Sequence, residues 1–157
     1  MSLTFLEIKQ KLANYCVYQD RCHHEVEKKM KEFLLIPEAK EEILLYLIQE
    51  NFLDEERFTR SYIRGKFYIK HWGRIKIKAH LKQKDIQEKL ISSCMDEIDP
   101  KDYEQQLLKF LEKLLPEVED LLDYSKKNKA IRHLISKGYE YDEILNAIAD
   151  YTEKSTD

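Results

Sequence analysis

Between Arg60 and Lys84 the chain carries nine Lys or Arg residues and no Asp or Glu. They are Arg60, Arg64, Lys66, Lys70, Arg74, Lys76, Lys78, Lys82 and Lys84. The chemistry open to such a run is anion binding. Each cation that meets a phosphate releases a condensed counterion, so affinity falls as salt rises. The formal net charge is −3, so the rest of the chain carries −12. A basic centre in an otherwise acidic protein points to a nucleic acid or an acidic protein surface as partner. The competing reading is a solvated helix face. A stretch of 25 residues without an acid, in a chain with 30 acids, argues against it.

Spacing refines the picture. Arg74, Lys78 and Lys82 stand at i, i+4 and i+8, so they project from one face of a helix. Arg60 and Arg64 form a second such pair on the preceding helix, and Lys66, Lys70, Lys76 and Lys84 add charge nearby. Ile77 and Leu81 flank the stripe on one side, Ile75 and Ala79 on the other. That pattern predicts a helix wedged between neighbours with its basic edge outward. Tyr68 and Trp72 lie among the cations, where an aromatic ring can stack on a base or pack beneath the helix. A single Trp before Gly73 favours packing. Phe58 and Tyr62, four apart, read as core. The Gly73-led helix, a turn at Lys84-Asp85 and a helix from Ile86 have the lengths of a helix-turn-helix. That motif reads bases with its second helix, whereas the stripe lies on the first. Phosphate contact is therefore expected rather than sequence reading.

Other chemistries find little support. Cys22-His23-His24 is a possible metal cluster, but adjacent helical residues point about 100° apart and converge poorly. No second ligand pair of CxxC or HExxH type accompanies it. His71, His80 and His133 are scattered single residues. No GxSxG, Cys-His or Walker pattern occurs, and the three glycines are too far apart to cradle a phosphate. Carboxylate pairs such as Glu41-Glu42 suit solvated helix faces. The expectation is a non-enzyme with no cofactor, no metal and no small-molecule substrate.

The elements that must position the basic segment read as helical. Hydrophobic residues are 43% and charged residues 36%, with only three Gly and three Pro. So few turn formers argue against a sandwich or barrel. Apolar residues recur at helical spacing: Phe5, Ile8, Leu12 and Tyr15; Ile43, Leu44, Leu47 and Ile48; Ile86, Leu90 and Cys94; Leu107, Leu108, Leu111, Leu114 and Leu115; Ile144, Leu145 and Ile148. Asp54-Glu55-Glu56 marks a helix start, and Pro37 suits the first turn of a helix running to about Asn51. Asp85 with Glu88 resembles a capping box, and Asp99-Pro100 reads as a cap and first helical residue. Gly138 reads as a left-handed C-terminal cap, and Pro116 is expected to end or sharply bend the helix begun near Pro100. The tail from Glu153 looks free to fray. No apolar run is long enough to span a membrane, and no secretory signal is seen. The three cysteines are expected to be reduced thiols in a cytoplasmic protein.

Three segments share apolar anchors spaced four then five apart: Val26, Met30 and Leu35; Ile77, Leu81 and Ile86; Ala130, Leu134 and Tyr139. Each follows a longer helix and precedes another amphipathic one. The unit is three helices, repeated over residues 1–53, 54–99 (basic) and 100–157. Stacked in line, such repeats predict an all-α protein in an elongated, curved arrangement.

The segment FLDEERFTRSYIRGKFYIKHWGRIKIKAHLKQKDI, residues 52–86, resembles the RecX family, regulatory proteins of the recombinase RecA. The matching positions are Leu53, Asp54, Glu55, Arg57-Phe58, Tyr62, Gly73-Arg74-Ile75, Leu81 and Ile86. Near the C-terminus, Lys129, Leu134, Lys137-Gly138-Tyr139 and Ile144 fit the family's last repeat. Thr59 stands where Ala is usual. Asp85 stands where Gly is usual, so that helix end is expected to be capped differently. The resemblance implies three tandem three-helix (helix-turn-helix-like) repeats without catalytic residues. It implies binding to the RecA–DNA filament, restraint of recombination and of the SOS response, and contact with single-stranded or duplex DNA through phosphates. A monomer is expected. Alternatives are a general nucleic-acid-binding module and a protein–protein adaptor that docks an acidic partner through the basic stripe.

Overall fold

The computed structural model describes residues 3–156, and among them every regular element is helical. The α-helices are α1 Phe5–Tyr18, α2 His23–Met30, α3 Pro37–Gln49, α4 Glu55–Arg64, α5 Arg74–Gln83, α6 Glu88–Cys94, α7 Pro100–Leu114, α8 Tyr124–Ser136 and α9 Tyr141–Thr156. Helix α4 runs on into a π-helical turn, Gly65–Ile69. Short 3₁₀ turns occupy Met95–Glu97 and Val118–Leu122. The tail expected to fray is helical through Thr156. No helix among the described residues is long and apolar enough to cross a membrane.

Short polar side chains open the helices. Asp54 Oδ1 accepts the Arg57 amide at 2.9 Å, Asp99 Oδ1 that of Lys101 at 2.8 Å, and Asp123 Oδ1 that of Lys126 at 3.2 Å. Each cap satisfies a donor that the helix leaves orphaned, worth about 1 kcal/mol. Pro37 and Pro100 sit in the first turns of α3 and α7, where a missing N–H costs nothing.

Three helices end in the same six-residue device. Asn51, Asp85 and Gly138 have φ of 62°, 60° and 99°. The following amides, Phe52, Ile86 and Tyr139, donate back to the carbonyls of Leu47, Leu81 and Leu134 at 2.8, 3.2 and 3.1 Å. In this motif the residue after the left-handed position packs on the residue five before it. The anchor spacing of five in the second and third repeats is this contact. Asp85 therefore corrects two expectations. It is not the N-cap of α6, which starts at Glu88. Nor is the end of α5 capped differently: Asp85 takes the conformation a glycine would take. Asp is among the few non-glycine residues that tolerate it.

The helices pack as two compact units. One holds the described residues up to Tyr62 with Leu81–Cys94, the other Ile63–His80 with the described residues from Met95 onward. In the first, Ile8, Leu12, Ala13, Cys16, Val26, Met30, Ile43, Leu47 and Leu53 form a core lined by half-buried Tyr15, Phe33, Leu35 and Phe52. Arg57 ties the start of α4 to it, donating to Asp20 Oδ1 at 2.9 Å and to the Asn51 and Phe52 carbonyls at 3.1 and 3.2 Å. Phe58 is buried and Tyr62 half-buried, their rings 5.6 Å apart. Thr59, where an alanine would suffice, is buried and satisfies its hydroxyl on the Glu55 carbonyl at 2.7 Å. Cys16, Cys22 and Cys94 are unbridged. Burial pushes the Cys22 thiol up to about 11.

The second unit is built around rings. Phe67, Tyr103 and Tyr139 are buried, with centroids 5.5 Å and 5.1 Å apart in series, and Phe110 stands edge-on to Tyr139 at 5.9 Å. Against this cluster the backbone of Gly73 meets that of Gly138. The Gly73 amide donates to the Lys137 carbonyl at 2.8 Å, and the Ile75 amide to the Gly138 carbonyl at 2.9 Å. A Cβ on Gly73 would lie 2.3 Å from the Gly138 carbonyl carbon. Asp120, a buried acid, is held by Lys126 Nζ at 2.8 Å and the Glu117 amide at 3.0 Å.

Two outcomes follow. Gly73→Ala forces backbone apart and should cost roughly 2 kcal/mol or more. Gly65→Ala should not destabilise, since nothing lies within 4 Å of a Cβ there. Thermal unfolding of the two variants checks the contrast. The Lys126 ammonium, then the Glu117 amide, hold the Asp120 carboxyl below its usual range. A depressed carboxylate stabilises above its unfolded pKa of about 3.9 and loses that contribution as pH falls through its folded value. Asp120→Asn should therefore lower the urea midpoint at pH 7, and the difference from the parent should narrow as pH falls below the unfolded carboxylate pKa of about 3.9.

Candidate nucleic-acid interface

The acid-free segment leaves α4, passes the π-helical turn and reverses into α5. In the turn the Lys70 amide donates to the Gly65 carbonyl at 3.2 Å and the Trp72 amide to the Lys66 carbonyl at 2.9 Å. His71, at φ 60°, redirects the chain, and its carbonyl accepts the Tyr139 hydroxyl at 2.8 Å. Trp72 is thereby brought back beside Lys66. Helix α5 places Lys76 and His80 one turn apart on the same side.

These residues meet. Lys66 Nζ lies 4.7 Å and Lys76 Nζ 4.4 Å from the centre of the Trp72 ring, and the His80 ring lies 4.7 Å from it at 53°. Trp72 and His80 are half-buried. Trp72 packs beside α5 against Lys76 and His80, as its position before a glycine suggested, but it is not fully buried. It is an aromatic plate at the surface of the second unit, with two ammoniums over it.

The other cations divide by what holds them. Lys70 and Lys78 are exposed and have no acidic partner among the described residues. Arg60 reaches Glu56 at 3.4 Å, Arg64 Glu97 at 3.0 Å, Lys82 Glu88 at 3.4 Å and Lys84 Glu25 at 3.2 Å. The spacing of Arg74, Lys78 and Lys82 along α5 is real, but the stripe is broken at its start. Arg74 turns inward: its guanidinium lies 3.8 Å from the centre of the Tyr103 ring and donates to Glu140 Oε2 at 3.0 Å. The Tyr103 hydroxyl donates to Glu140 Oε1 and accepts the Arg74 amide at 3.0 Å. Burial first, and the bond to Glu140 second, raise the Tyr103 hydroxyl pKa well above its usual value. With a side chain only 24% exposed and its charge matched, Arg74 is a structural cation.

The apolar flanks also differ from expectation. Ile77 and Leu81 are fully buried, but Ile75 is 54% exposed and Ala79 is exposed, so α5 packs on one side only. Ile75 contributes through its amide rather than its side chain. Gly73, Gly138 and Tyr139 act together in the backbone contact, and Leu53, Asp54, Arg57 and Ile86 close helix ends. Two groupings escape a reading along the chain: Trp72 with His80, and Arg74 with Tyr103 and Glu140. The first had a signal, since His80 stands four residues after Lys76. The second spans 66 residues and had none.

Comparison with known proteins shows what the chain is similar to. Residues 54–95 match the second three-helix domain of RecX and residues 102–148 the third. A "Regulatory protein RecX" of Serratia proteamaculans is 31% identical over 121 residues, covering 74% of this chain and 68% of that protein. One of Lactobacillus johnsonii is 25% identical over 130 residues, covering 83% of this chain and 48% of that protein. This chain therefore spans about half the length of some relatives. The crystal structure of RecX from Lactobacillus salivarius superposes with a TM-score of 0.83 at 26% identity, covering 94% of this chain and 96% of that one.

The inward pairing of Arg74 predicts a stability phenotype. Arg74→Met should cost roughly 1–3 kcal/mol by leaving the part-buried Glu140 carboxylate without its cation and the Tyr103 ring without its stacked guanidinium, and Arg74→Lys should not restore the forked, stacked contact. If the basic segment binds nucleic acid, neither should lower the salt dependence of that binding. Unfolding curves and a salt titration of the folded variants read the two effects separately.

Proposed function

The chain belongs to the RecX family, and on that premise we propose that it is a non-enzymatic regulator that binds the RecA–DNA filament and inhibits recombinase activity in repair, recombination and the SOS response. The observation that carries this reading is the acid-free basic segment with its exposed, unpaired cations, in a family named for regulation. Such a regulator needs no chemistry. It acts by preferring one state of the filament over another, and differential affinity is all that inhibition requires.

In this reading the three repeats divide at residues 53/54 and 99/100 and divide the work by charge. Residues 54–99 carry +3, against −2 for 1–53 and −4 for 100–157. The central repeat meets DNA phosphates through Lys66, Lys70, Lys76 and Lys78, and the outer repeats meet recombinase subunits. The protein acts as a cytoplasmic monomer.

Titration of DNA-dependent ATP hydrolysis by the cognate recombinase tests the proposal. Inhibition is expected below one protein per recombinase subunit. A Lys70→Glu, Lys78→Glu double variant, whose changes lie at exposed and unpaired positions, should fold normally and inhibit at least tenfold less well. Absence of any effect of the parent protein at several-fold excess overturns the reading.

A further inference from the structure

We propose that Trp72, Lys66, Lys76 and His80 form a subsite for single-stranded nucleic acid, in which an unpaired base stacks on the indole and the adjoining phosphate is met by the two lysines. The proposal rests on the nucleic-acid contact inferred above and specifies the form of the ligand and where it sits.

The geometry supports it in three steps. First, the ring is half-buried and sits within the segment that has no acid. A carboxylate that would repel a phosphate is absent from residues 60–84. Second, the backbone that carries the indole is held in place. The Trp72 amide is bonded to the Lys66 carbonyl, and the next residue, Gly73, is locked to the Lys137 carbonyl. The turn is set and the ring packed against His80 before a ligand arrives, so less ordering entropy is lost on binding. Third, the energies favour exchange. Each cation over the half-buried indole is worth roughly 2- to 5-fold in a binding constant, the two together roughly 4- to 25-fold, whereas stacking of one base is worth roughly 5- to 100-fold. A base can therefore displace an ammonium from the ring face, and the displaced lysine stays within reach of the phosphate. The imidazole of His80, 4.7 Å from the indole, supplies a second ring against the base edge. Within a duplex the bases are already stacked on one another, so this subsite discriminates in favour of single strands.

The chain contains one tryptophan, so its fluorescence reports this site without any substitution. The full chain is titrated with a short oligo(dT), with an abasic oligomer of equal length and with a duplex of that length. Oligo(dT) is expected to quench the tryptophan, and the abasic oligomer and the duplex to bind without quenching. By anisotropy of labelled oligomers, Trp72→Leu should bind oligo(dT) roughly 5- to 100-fold more weakly and the abasic oligomer unchanged. A Lys66→Gln, Lys76→Gln variant should lose affinity for all three and show a shallower salt dependence. Binding of oligo(dT) without quenching, or with equal affinity by a folded Trp72→Leu variant, overturns the subsite. Failure of oligo(dT) to bind overturns it as well. Recombinase inhibition is read independently. An inhibitory protein with no quenching loses only the subsite, whereas quenching without inhibition loses the filament reading and keeps the subsite.

Discussion

The contact between the backbones of Gly73 and Gly138 is the constraint on which the second unit depends. Two peptide segments approach so closely that neither can carry a Cβ: a carbon on Gly138 would lie 2.4 Å from Lys76 Cβ, just as one on Gly73 would strike Gly138. The approach makes two hydrogen bonds and sets the direction in which α5 leaves the turn. It also buries Tyr139, the residue after the left-handed glycine, against Tyr103. Tyr103 then needs a partner for its hydroxyl, and Glu140 provides one. Glu140 in turn needs a cation, and Arg74, the first residue of α5, provides it. Each group in this chain satisfies the one before it. None would be placed correctly if the glycines were held apart.

That dependency explains why one cation of the basic segment behaves unlike the rest. A part-buried carboxylate left unpaired costs more than a surface charge can return, so the cation nearest Glu140 is taken for structure. The same turn that captures Arg74 throws Trp72 outward on its other side, between Lys66 and Lys76. Stability and surface chemistry are thus assigned to residues two apart in sequence, by the hand of a single turn.

Much of the fold was legible in the sequence because helices write their ends locally. Asp54, Asp99, Pro37, Pro100 and Gly138 do in the structure what their residue types dictate. The anchor spacing of five marked a turn geometry that the sequence could count without naming. Asp85 was misread because an aspartate before a helix usually caps it. What decides the matter is the preceding helix, whose end demands a left-handed residue at that position. The site was legible in charge but not in arrangement. Helical spacing says which side chains share a face, and it does not say that Glu140 waits 66 residues away for one of them. Nor does it foresee a π-helical turn, whose extra residue shifts Trp72 onto Lys66. Ile75 failed as a packing residue for a related reason: periodicity gave α5 two apolar edges, but only one of them had a neighbour.

Intramolecular pairing also sets how the remaining cations can be used. Arg64, Lys82 and Lys84 each hold a carboxylate of the chain itself, and the Lys82–Glu88 pair is exposed on both sides. An exposed pair is worth about 0–1 kcal/mol, so a phosphate can take Lys82 from Glu88 at little cost. Lys84 and Glu25 are 28% and 18% exposed, and opening that pair would strand a shielded carboxylate. These cations therefore form a graded series. Lys70 and Lys78 are available at once, Lys76 by exchange at the indole, Lys82 by opening a weak pair, and Arg74 not at all. A phosphate backbone laid along this segment would meet its strongest electrostatic attraction around the π-helical turn and the middle of α5. Formal charge, spread evenly from Arg60 to Lys84, does not reveal that focus.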